Sequence, residues 1–95
     1  MNQEINDAIQ NKKLIQFDYD SISRTVEPYC YGTTAAGNEA LRAFQTSGEK
    51  SKMAWKLYDL TKASNIVALN ESFTPRKDYK PGDKIISSVI QQISK

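Results

Sequence analysis

Between Leu14 and Leu69 apolar and polar residues repeatedly alternate one by one, and a period of two is the mark of strands that bury one face. In residues 14–19, Ile15, Phe17 and Tyr19 share a face while Gln16 and Asp18 point away. Residues 20–23 are short and polar enough to turn a hairpin. A second strand follows over 24–33. Within it Pro28, which has no N–H to give a ladder, marks an edge, a bulge or a bend. After a turn at 34–38, residues 40–46 form a third strand with Arg42 and Phe44 on one face and Leu41, Ala43 and Gln45 on the other. A loop at 47–51 surrounds Gly48. A fourth strand over 53–60 sets Trp55 and Leu57 against Lys56 and Tyr58. A short helical or irregular link at 61–64 leads to a fifth strand, 65–69.

The two ends read differently. Ile5, Ala8 and Ile9 recur at helical spacing in residues 2–11, with Asn2 as N-cap and Glu4 favourable in the first turn. Residues 74–82 hold two prolines and three cations, and read as a loop on the surface. Residues 83–94 place Ile86, Val89, Ile90 and Ile93 on one stripe, widened by Ile85. That spacing predicts an amphipathic C-terminal helix capped by Asp83. The expected fold is mostly β with flanking helices: a small SH3- or Sm-like barrel of about five strands. One domain is expected over 1–95, with the N-terminal helix at 1–12, the barrel at 13–73, the basic loop at 74–82 and the C-terminal helix at 83–95.

Composition removes whole classes of chemistry. Histidine is absent, so there is no imidazole base, no Ser-His-Asp triad and no His-containing zinc site. The single cysteine, Cys30, cannot form an internal disulfide, which fits a reducing compartment. The polar, acidic start is not a secretory signal, and no apolar run approaches the ~20 residues that span a bilayer, so a cytoplasmic address is expected, without a membrane partner. There is no P-loop or Gly-rich dinucleotide motif and no paired acid and base. The chain is expected not to be an enzyme and to need neither cofactor nor metal. The net charge of +2 is unevenly spread: residues 1–50 carry five Lys and Arg against seven Asp and Glu, residues 51–95 eight against four. The basic second half is compatible with a polyanion-facing surface, although a solvated basic face is the commoner reason for such an asymmetry.

Several stretches together resemble the WYL domain, a small barrel common in bacterial transcription regulators. Ile5-x-x-Ala8-Ile9 followed by Ile15-Gln16-Phe17-Asp18-Tyr19 is similar to that family's helix and tyrosine-ended first strand. Arg24-Thr25-Val26-Glu27-Pro28 resembles its R-x-V-E-P strand, and Ala40-Leu41-Arg42-Ala43-Phe44 its Y-L-R-A-[YF] strand. Lys56-Leu57-Tyr58-Asp59-Leu60-Thr61-Lys62-Ala63-Ser64-Asn65-Ile66, continuing to Phe73, tracks its R-x-F-R-L-D-R-I-S-N-[LI] segment. The departures are specific. The eponymous Trp-Tyr-Leu is Glu39-Ala40-Leu41, and the paired arginines of the later strand are Lys56 and Lys62, with Thr61 in place of the aspartate between them. Lysine keeps the charge but loses the planar fork that suits phosphate. No helix-turn-helix precedes the barrel, so a free-standing module is expected rather than a DNA-binding transcription factor.

The resemblance assigns a ligand or nucleic-acid pocket to Arg42, Lys56 and Lys62. Alternation turns Arg42 away from Leu41 and Ala43, and Lys56 away from Trp55 and Leu57. If the two strands are neighbours, Arg42, Phe44, Lys56 and Tyr58 share one surface. Cations beside rings suit single-stranded nucleic acid or a nucleotide; solvent-facing residues of a half-buried sheet are the plain alternative. Arg24 joins the candidates, against a structural role in a surface ion pair with Glu27 or Asp20. A secondary basic loop, Arg76, Lys77 and Lys80 with Tyr79 amid it, clamps phosphates or is simply solvated. Tyr29 and Tyr31, sharing a face opposite Cys30 and Val26, read as packing, Trp55 as core, and Cys30 as a buried, inert thiol.

The expected function is therefore a WYL-like regulatory module binding an anionic ligand, either single-stranded RNA or DNA or a nucleotide-like molecule. Free-standing members of such a family are associated with the regulation of prokaryotic or phage defence. The alternative is a protein-interaction or self-association module that grips a partner or a second copy through the edge near Pro28 or the C-terminal segment.

Overall fold

A computed structural model describes residues 2–48 and 53–93. Helix α1, Gln3–Asn11, starts where Asn2 Oδ1 accepts the Ile5 N–H at 3.1 Å and stops where Lys12 turns left-handed at φ 55°. Its Ile5, Ala8 and Ile9 are buried. The strands are β1 (Lys13–Tyr19), β2 (Ile22–Thr34), β3 (Glu39–Ser47), β4 (Ala54–Asp59), β5 (Ala63–Ser72) and β6 (Ile86–Gln92), with a 3-10 turn at Leu60–Lys62 between β4 and β5. All pairings are antiparallel, in the order β4-β3-β2-β1-β5, with β6 also paired to β2. The loop expected at 47–51 lies mostly outside the described residues, as does the end of the 83–94 segment.

The β1–β2 hairpin turns on Asp20 and Ser21, both at positive φ (53° and 62°), the two-residue geometry that matches strand twist. From there β2 organises the sheet. One edge runs along β3, from Thr25 opposite Ser47 to Thr33 opposite Glu39. The other edge changes partner: Ile22 to Val26 pair with β1, and Cys30 to Thr34 pair with β6. Pro28 sits at that change, where a residue without an N–H costs the ladder nothing. Beside it the β2–β3 register slips: Pro28 faces Ala43 and Cys30 faces Arg42, leaving Tyr29 as the extra residue of a bulge. The simple alternation expected for Tyr29, Cys30 and Tyr31 is therefore broken, although both tyrosines are fully buried.

Two expectations are corrected. The C-terminal segment is strand β6, not an amphipathic helix. Ile86, Val89, Ile90 and Ile93 satisfy a helical stripe, but β2 beyond Pro28 has an edge of backbone groups that only a strand can satisfy, and β-branched residues suit that role. Asp83 accordingly caps no helix. Its Oδ1 accepts the Ile85 N–H at 2.9 Å and the Ile86 N–H at 3.4 Å, turning the chain into β6. The sheet is also open, with six strands, and among the described residues no pairing joins β4 to β5. Side chains tie β4 to β1 across the inward face: Tyr58 packs edge-on against Phe17 (5.0 Å) and Tyr19 (5.1 Å), and the Asp59 N–H meets the Tyr19 hydroxyl at 3.3 Å.

The core lies between α1 and the inward face, where Ile5, Ile9, Ile15, Phe17, Val26, Tyr31, Leu41 and Tyr58 are 0–1% exposed. Burying each such side chain is worth roughly 1.5–3 kcal/mol, which is what a sheet this small requires. No helix among the described residues is long and apolar enough to cross a membrane.

Candidate functional site

The outward face is set by register. Glu27, Phe44 and Trp55 lie side by side across β2, β3 and β4, and the next row is Cys30, Arg42 and Leu57. The segment between β5 and β6 is laid over these rows and pinned to them. Arg76 donates from Nε to Glu27 Oε1 at 2.9 Å and from Nη2 to Oε2 at 3.1 Å. The same guanidinium lies 3.7 Å from the centre of the Phe44 ring. The Trp55 indole N–H donates to Asp78 Oδ2 at 2.9 Å, and Arg42 Nε donates to Asp83 Oδ2 at 2.7 Å. Tyr79 turns inward against Tyr29 (4.7 Å) and Trp55 (5.9 Å) and is 5% exposed. The segment read as a surface loop is thus anchored by an aromatic plug, because its one large ring and its arginine both find partners on the sheet.

Between loop and sheet remains a cavity of about 250 Å³, lined by Arg42, Trp55, Asp78, Tyr79, Lys80 and Asp83. Arg42 commits one of its five N–H donors to Asp83; among the described residues its terminal nitrogens have no hydrogen-bond partner. Burial raises the Asp83 carboxyl, but the Arg42 hydrogen bond, the Ile85 and Ile86 N–H groups and the Arg42 charge outweigh it and hold the carboxyl below its ordinary value. Burial pushes the neighbouring Cys30 thiol up to about 11 and the Tyr79 hydroxyl up to about 12, so neither is a nucleophile near neutrality. Among the described residues no group of three or more Cys, Asp or Glu is placed to hold a metal ion.

The sequence-derived candidates are divided by the sheet. Arg42 and Phe44 share the outward face, but register places Lys56 opposite Ala43 and Tyr58 opposite Leu41, on the inward one. The surface expected from Arg42, Phe44, Lys56 and Tyr58 together does not form. Tyr58 is 1% exposed and donates to Gln45 Oε1 at 2.8 Å. Arg24 is 3% exposed, donates to Gln45 Oε1 at 3.1 Å and to the Tyr19 carbonyl at 3.3 Å, and covers the Tyr19 ring: a buried strut rather than a surface pair. Lys62 is exposed on the 3-10 turn. Of the basic loop, Arg76 is held by Glu27, Lys77 is exposed, and Lys80 lines the cavity. Trp55, Asp78, Tyr79 and Asp83 went unforeseen as cavity residues. Trp55 is placed on the Arg42 face by the β3–β4 register, which local alternation does not fix.

No family model matches the chain, and no curated protein matches it. Among solved structures the chain is similar to proteasome accessory factor B/C (PafBC) of Arthrobacter aurescens, with a TM-score of 0.69 and 24% identity. The match covers 83% of this chain and 13% of that one, so the chain spans a small part of that protein's length. The likeness shows a shared fold, and it is at the level of fold that the WYL resemblance is supported.

Proposed function

We propose that this chain is a non-enzymatic, WYL-like regulatory binding module whose site is the cavity between Arg42, Trp55 and the 78–83 loop, and whose ligand is a small, ring-bearing anion of the nucleotide class. The observation that carries the reading is the arrangement of Arg42: a guanidinium tied down through one donor, with its remaining fork unpartnered among the described residues, in a cavity also lined by the half-buried Trp55 and by Lys80. A fork of N–H donors suits phosphate, and a neighbouring ring suits a base. The size of the cavity, about 250 Å³, favours a single nucleotide unit over a polymer. So does the position of Lys56 and Lys62, which do not extend this face into a track for a phosphate backbone. The motif resemblance and the shared fold support the regulatory-module part of the reading.

Trp55 is the sole tryptophan and gives the test its signal. Titration with nucleoside monophosphates is expected to quench Trp55 fluorescence saturably, at least tenfold more weakly in a folded Arg42→Ala variant. Single-stranded oligonucleotides are expected to bind no more tightly per nucleotide, with a shallow salt slope. Absence of saturable quenching by any nucleotide would reject the reading.

A second reading, self-association, is favoured by one observation. Ile85, Val89 and Ile90 are 49%, 41% and 36% exposed, and residues 85–93 hold no charge, proline or glycine along a strand that, among the described residues, pairs on one edge alone.

A further inference from the structure

We propose that Asp83 is a resident competitor at this site: its carboxylate holds Arg42 in the place an incoming anion takes, and an anion that binds displaces it and releases the start of β6. This rests on the anion-site reading above and adds the regulation of that site.

Three features carry it. The Asp83 side chain is 8% exposed and lies in the same cavity wall as Arg42 and Lys80, so ligand charge must settle within a few ångströms of a buried like charge. Departure of the carboxylate relieves that repulsion and frees the Arg42 Nε–H for the ligand. The residue before it, Gly82, sits at φ 91° with open space where a side chain would be, directly after Pro81, so the backbone has room to pivot at that point. Finally, the carboxylate is shared. Oδ2 takes the Arg42 N–H while Oδ1 takes those of Ile85 and Ile86, the two residues that lead into β6. Displacing Asp83 strips this acceptor from both amides, so occupancy of the cavity is transmitted to the start of β6.

The test uses adenosine 5′-monophosphate and, separately, inorganic phosphate as probes. Asp83→Asn keeps an oxygen for the two amides and removes the charge. It is expected to bind adenosine monophosphate about tenfold more tightly than wild type, with inorganic phosphate shifted the same way. In the wild-type protein, saturation with adenosine monophosphate is expected to speed hydrogen exchange at the Ile85 and Ile86 amides. Affinity equal to or below wild type in the folded Asn variant overturns the competitor role, as does unchanged exchange at those amides in wild-type protein that binds. Failure of both proteins to bind either probe overturns the anion-site reading, and this inference with it.

Discussion

The Arg76 guanidinium lies 3.7 Å from the centre of the Phe44 ring and, in the same position, gives two hydrogen bonds to the Glu27 carboxylate, 49 residues earlier in the chain. One side chain thereby satisfies a nearly buried carboxylate on β2, covers an aromatic face on β3 and anchors the loop that roofs the cavity. The Arg76 backbone N–H adds a fourth tie, to the Tyr29 hydroxyl at 2.9 Å.

Removing that side chain leaves Glu27, 7% exposed, without its paired charge. Arg76→Ala is expected to cost about 2 kcal/mol, less than a fully buried pair because the arginine is partly in water. Arg76→Lys retains charge without the fork and is expected to recover less than half of it. Urea denaturation decides; a change within about 0.5 kcal/mol for the alanine variant would show the contact to be incidental.

Gly32 faces a harder limit. A Cβ there would lie 2.1 Å from the Ser88 carbonyl oxygen and 2.7 Å from Ile86 Cγ2, both on β6. Backbone cannot yield as a flexible side chain does, so Gly32→Ala is expected to lose about 3 kcal/mol or to detach β6. Hydrogen exchange along 86–92 distinguishes the two, and full protection at unchanged stability would contradict the β2–β6 pairing.

Acid should weaken the Asp83 latch. Its folded carboxyl titrates below the ordinary value of about 3.9, so the unfolded chain takes up the proton first as pH falls. The latch's contribution is complete above that value and is lost progressively below it. Stability measured from pH 5 to pH 2.5 is expected to fall less steeply in Asp83→Asn than in wild type; parallel curves would show that the carboxylate adds nothing to folding.

The exposed edge of β6 gives a test of self-association. If copies pair there, Val89→Lys with Ile90→Lys should shift sedimentation toward monomer at high concentration without changing nucleotide binding. A wild type that is already monomeric across the same range would remove the second reading.

Alternation in residues 14–19 and 40–46 was enough to locate β1 and β3 and to tell their buried faces from their outward ones, and Asn2 was enough to start α1. These are local signals: side-chain direction in a strand and capping at a helix end depend on neighbours within a few residues. The outward placement of Arg42 and Phe44 was legible for the same reason. Which of Trp55 and Lys56 would join them was not. That depends on the parity of the β3–β4 register, and a shift of one residue exchanges every side chain between faces.

The C-terminal segment shows the limit most plainly. Ile86, Val89, Ile90 and Ile93 taken in isolation fit a helical stripe, so the sequence by itself determined only that the segment would bury part of an apolar surface. The tertiary structure decided the rest. Pro28 ends the pairing of β1 with β2, the backbone groups beyond it need a partner, and β6 is the strand within reach. The cavity has the same origin. Arg42, Trp55 and Asp83 are far apart in sequence, and only a sheet that sets the first two in adjacent rows, with a loop pinned by Arg76 and Tyr79 above them, brings their charge and ring together.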